Sequence, residues 1–110
     1  MSAEAVAVLE RARELISDPE RWTQRAFARN SVGEATSASG PGATCWCALG
    51  AIAREEGRSG SGAVRQLREG AGLHGTGTYL GIADFNDVST HAEVLAAFDK
   101  AIALGRGDRA

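Results

Sequence analysis

Cysteine, proline and methionine are scarce here: two, two and one in 110 residues. Two thiols do not make a disulfide framework. A chain of this length needs none, since it buries roughly two-thirds of its unfolded surface without staples. No apolar run approaches the ~18 residues of a membrane span. The first residues, Met1-Ser2-Ala3-Glu4, lack a basic region followed by a hydrophobic one, so no secretory signal is expected. A cytoplasmic location with reduced cysteines follows. An excess of basic charge is also missing. Twelve Lys and Arg are interspersed with fourteen Asp and Glu, for a net charge of −2. That pattern lacks the basic stripe that nucleic acid or an anionic membrane requires. Internal repeats and interdomain linkers are absent too, so residues 1–110 are expected to form one domain.

What the chain does have is one concentrated apolar stretch, Ala43 to Ala53, which holds both cysteines, Trp46 and no charge. Its spacing predicts a central helix over 45–56, started by Thr44 and ended by Gly57, with neighbours on most of its circumference. Ala5, Val8, Leu9, Ala12, Leu15 and Ile16 predict an amphipathic helix over 3–16, with Ser2 as its cap. Asp18-Pro19 predicts a second, short helix capped by Asp18, burying Trp22, Ala26 and Phe27. A short helix over 61–69 carries Val64 and Leu67. Residues 79–85 are ambiguous between a helical turn and a strand, with the turn favoured for want of a partner strand. Thr90-His91-Ala92-Glu93 is a capping box for a last helix that buries Val94, Leu95, Phe98 and Ile102 and ends at Gly105. Residues 30–43 and 70–78 read as irregular loops, and 106–110 as a frayed tail. The expected fold is all-α, four to five helices, with the 45–56 helix packed between the first and last.

Several residues could carry chemistry. At a helix start, Cys45 and Cys47 are placed where the dipole favours a thiolate; equally, a cysteine among Ala, Leu and Ile is a small packed hydrophobe. His91 falls in the first turn of the last helix, where a neutral imidazole is favoured and can act as a base. Cys47 (or Cys45), His91 and Asp87 or Asn86 thus supply the parts of a Cys–His–Asx arrangement. The plainer alternative has Asn86 and Asp87 capping a turn and His91 in solvent. Trp22 and Gln24, with Asn86, are candidate binding residues, although a tryptophan at helical spacing from Phe27 also suits a core. Cys45, Cys47, His74 and His91 match the ligand count of structural zinc. Helix positions two apart diverge, however, so no metal is expected. Gly75-Thr76-Gly77 follows no clear strand and is no phosphate loop, and no cofactor is expected.

Trp22-Thr23-Gln24, Cys45-Trp46-Cys47-Ala48-Leu49-Gly50-Ala51, Phe85-Asn86-Asp87 and Thr90-His91-Ala92-Glu93-Val94, in that order, resemble a family of small uncharacterised bacterial and phage proteins. The family is a domain of unknown function, so the resemblance implies a bacterial or phage origin and no activity. The leading expectation is a small soluble, non-catalytic binding or protein-interaction module for a protein, peptide or small ligand. Its rim would be 30–43 and 70–78. The first of these is expected to be weakly ordered, hinged at Gly40-Pro41-Gly42 and closing over Cys47 and His91. The alternative is a thiol-dependent hydrolase or transferase.

Overall fold

The computed structural model describes residues 3–57, 61–73 and 79–107. Five α-helices hold most of them: α1 (Ala3–Leu15), α2 (Ala48–Glu56), α3 (Ala63–Gly70), α4 (Tyr79–Val88) and α5 (His91–Gly105). The expected cap Ser2, residues 58–60, His74 with the rest of 74–78, and the end of the tail at 108–110 lie outside the described residues.

The strongest local signals set the helix starts where expected. Thr90 accepts from the Glu93 amide while Glu93 accepts from the Thr90 amide, which completes the capping box of α5. The side chain of Asp18 caps the Glu20 amide, but what it starts is a single 3-10 turn, Pro19–Arg21. Residues 79–85 belong to a full helix rather than an isolated turn.

The all-α expectation needs one correction. Two short antiparallel strands, β1 (Ala28–Asn30) and β2 (Ala43–Trp46), pair in register Ala28 to Trp46 and Arg29 to Cys45. Strand β2 takes the first half of the stretch expected to be helical, so α2 begins three residues late, with Cys47 rather than Thr44 as its N-cap. An apolar run this short does not distinguish strand from helix by periodicity. The choice is made by partners elsewhere: the β1 ladder, and Ala38, whose carbonyl accepts from the buried Trp46 indole at 2.9 Å.

Helix order is also corrected. α2 packs against α1, α3 and α4, but α1 rather than α2 is the helix that meets α5, and α3 packs against α5 as well. Small residues make the second contact close: a Cβ on Gly70 would lie 2.5 Å from the Ala97 carbonyl oxygen. The core gathers Val8, Leu9, Ile16, Ile52, Leu67, Ile82, Val94 and Phe98. Leu15, Trp22 and Leu95 are only partly buried against it, and Phe27, expected inside, is 58% exposed.

The 30–43 loop is anchored rather than loose. The Thr36 amide donates to Ala28 O at 2.9 Å, and Arg54 Nη1 donates to Ala38 O and Gly40 O. The same guanidinium lies 5.0 Å over the Trp46 ring. At the other end of the chain, Arg106, expected to fray, pairs with Glu10. Among the described residues, no helix is long and apolar enough to cross a membrane.

Candidate functional site

The segment Trp22 to Phe27 runs between the end of the 3-10 turn and β1, and it is held by the end of α4. Asn86, fully buried, is the centre of that hold. Its side-chain oxygen accepts from the Trp22 indole at 2.8 Å and from the Ala48 amide at 3.0 Å. Its side-chain nitrogen donates to the Thr23 carbonyl at 3.0 Å. A buried primary amide has two donors and one oxygen with two lone pairs, so this site uses most of its capacity. Gln24 Nε2 lies 3.1 Å from each of the Asn86, Asp87 and Ser89 carbonyls, the kind of groups a helix leaves unpaired at its C-terminus. Asp87 Oδ1 accepts from the Arg25 amide at 2.8 Å. Arg25 has a φ of +66°, a left-handed conformation that an arginine adopts only when its surroundings impose it.

This latch sets the shape of a cleft. The carbonyl of Phe27 accepts from the Cys47 amide at 3.2 Å, and α2 approaches so closely there that a Cβ on Gly50 would sit 1.9 Å from that oxygen. The backbone is therefore fixed while the Phe27 ring projects outward. On one side of it lies a cleft of about 320 Å³, lined by Arg25, Ala26, Phe27, Cys47, Ala83 and Asp87. On the other lies an apolar groove of about 480 Å³, whose walls include Ala38, Leu49, Ile52 and Val64.

Cys47 and Asp87 thus share one cleft, and His91 does not join them. His91 Nε2 lies 2.6 Å from the Ile16 carbonyl. A carbonyl only accepts, so that nitrogen carries the proton and Nδ1 keeps the lone pair in the neutral ring. The imidazole also leans on Trp22, with ring centroids 5.4 Å apart. No hydrogen bond among the described residues connects His91 with either thiol or with Asp87. Cys47 Sγ instead accepts from the Gly50 amide at 3.3 Å, as the cap of α2. Burial pushes its pKa up, the Gly50 and Leu49 amides oppose the shift, and the Asp87 charge adds to it. Cys45 lies on β2 opposite Arg29, its sulfur 4.0 Å from the Arg29 carbonyl. Both cysteines are free. Among the described residues, no group of three or more His, Cys, Asp or Glu could hold a metal ion.

No curated protein and no solved structure matches the chain. A family profile does, over residues 1–104. The chain belongs to the DUF6197 family.

DUF6197 is a family of unknown function, so membership brings no activity. The matched span contains both halves of the latch, Trp22-Thr23-Gln24 and Asn86-Asp87. Within this DUF6197 domain, Arg25, Phe27 and Ala83 are cleft residues that sequence reasoning passed over. Phe27 stands at helical spacing from Trp22, which suggested a buried face. Nothing in the local sequence announces the left-handed Arg25, because the carboxylate that holds it is 62 positions away.

Proposed function

We propose that this DUF6197 domain is a non-catalytic binding module whose recognition site is the Arg25–Phe27 segment with the clefts beside it. The observation that carries this reading is Phe27, an aromatic 58% exposed on a backbone fixed by α2. Aromatic and arginine side chains on rigid supports are the usual anchors of recognition. Ala38 brings one residue of the 30–43 loop to the apolar groove. The interspersed charge favours a protein, peptide or small ligand over nucleic acid or membrane. The two unpaired thiols suit a reducing cytoplasm, and the ordered motifs suit a bacterial or phage origin.

The thiol-enzyme alternative has one observation in its favour, the shared cleft of Cys47 and Asp87. The lack of a hydrogen bond from His91 to either thiol among the described residues, and the raised Cys47 pKa, weigh against it.

Amide NMR with mixtures of small organic fragments tests the reading. Shifts should gather on 25–27, 47–50 and 83–87, and Phe27→Ser should weaken binding while unfolding at nearly the wild-type temperature. Fragments that bind only elsewhere on the domain would overturn it.

A further inference from the structure

The cleft beside Phe27 carries one charge of each sign, and the two are not paired with each other. Among its lining residues Asp87 is the one carboxylate and Arg25 the one cation. Asp87 commits Oδ1 to the Arg25 amide at 2.8 Å and to Asn86 Nδ2 at 3.4 Å. Its Oδ2 takes no hydrogen bond from the described residues. An arginine next to an aspartate ordinarily closes a salt bridge through the guanidinium. Here the left-handed turn at Arg25 (φ +66°) presents the backbone N–H to the carboxylate, and the guanidinium forms no hydrogen bond or ion pair with the described residues. Ala26, Phe27, Cys47 and Ala83 supply the rest of the lining.

A ligand with a single charge would satisfy one of these groups and meet repulsion from the other. A ligand with both charges a few ångströms apart would satisfy both, and an apolar substituent would lie on the Phe27 wall. The volume of about 320 Å³ stands at the small end of ligand sites, which suits a body of few heavy atoms.

We propose that this cleft binds a small amphoteric molecule of amino-acid size, its ammonium on Asp87 Oδ2 and its carboxylate on the Arg25 guanidinium. The assignment rests on the reading of this cleft as a recognition site and names the ligand class for it.

The experiment titrates the isotope-labelled full chain with L-leucine and L-phenylalanine. In parallel it uses two analogues of leucine that each keep one charge, 3-methylbutylamine and 4-methylpentanoic acid. Leucine should bind about five- to tenfold more tightly than either analogue, the gain expected of one further charge pair in a partly open site. Two variants separate the charges without removing the backbone hold. Arg25→Gly suits a positive φ and should weaken leucine until it binds no better than the amine, which itself should bind at least as well as before because the repelling charge is gone. Asp87→Asn keeps the Oδ1 acceptor for the Arg25 amide and should do the converse, lowering leucine to the level of the acid. Analogues binding as tightly as leucine, or variants binding leucine as well as the native chain, would overturn the assignment. Neutral fragments that shift 25–27 and 83–87 where neither amino acid does would remove the amphoteric ligand but keep the recognition site. Silence of the cleft towards fragments and amino acids alike would remove both.

Discussion

The indole nitrogen of Trp22 donates to the side-chain oxygen of Asn86 at 2.8 Å, across 64 positions of sequence. Asn86 also caps the first amide of α2, so one side chain joins three segments: the 22–25 turn, the start of α2 and the end of α4. Asn86→Ala leaves the buried Ala48 amide and the part-buried Trp22 indole without this partner, and a buried group so left costs about 1–3 kcal/mol. We therefore expect a loss of roughly 2–4 kcal/mol in urea unfolding. Trp22→Phe deletes one of the donors and should cost less, about 1–2 kcal/mol. An Asn86→Ala domain as stable as the native one would show that the latch contributes nothing.

The contact between α2 and the Phe27 carbonyl gives a sharper expectation. Gly50→Ala places a methyl carbon 1.9 Å from a backbone oxygen that has no side-chain freedom to retreat. Overpacking against backbone should cost about 3 kcal/mol or more, and amide shifts should spread to 25–27 as that segment is displaced. Thermal unfolding reads the first effect and NMR the second. Little change in either would mean that the two segments stand further apart.

Cys47 carries the pH expectation. Burial raises its folded pKa above the value of an unfolded thiol. Above the ordinary thiol pKa the unfolded chain therefore releases its proton before the folded one does. Stability should fall as the pH rises beyond that point, and the contribution is fully present below it. Cys47→Ser keeps a side-chain acceptor for Gly50 and should flatten this part of the profile. Iodoacetamide should modify Cys47 slowly near neutral pH, at a rate limited by opening of the fold. Rapid alkylation near pH 6 would restore the thiol-enzyme reading.

Anchoring of the 30–43 loop predicts its hydrogen exchange. The Thr36, Gly40 and Ala43 amides have carbonyl partners and should be protected relative to Ser31 and Gly42. Arg54→Ala removes the guanidinium that holds Ala38 O and Gly40 O and should speed exchange at Gly40 more than at Thr36. Uniformly fast exchange throughout 31–42 in the native chain would instead fit a loose cover.

Some of this architecture is written locally. Leu9, Ala12 and Ile16 repeat at helical spacing. Thr90 and Glu93 cap each other three residues apart, and Asp18 caps a turn beginning with Pro19. Each of these depends on neighbours within a turn or two, so sequence alone determines it, along with the presence of both halves of the latch. Other features depend on distant partners. Whether Cys45 is strand or helix is decided by Arg29 on the opposite strand. Where α2 begins is decided by Cys47 together with Asn86, 38 positions beyond Ala48. Arg25 is left-handed where Asp87 accepts its amide, and the Phe27 backbone is held where Cys47 donates to its carbonyl. His91 gives one ring nitrogen to the Ile16 carbonyl, 75 positions back, and no hydrogen bond among the described residues joins it to a thiol. Periodicity reports which side of a segment is apolar; the hydrogen-bond partner that fixes a backbone angle or occupies a ring nitrogen comes from elsewhere in the chain, and only tertiary structure supplies it.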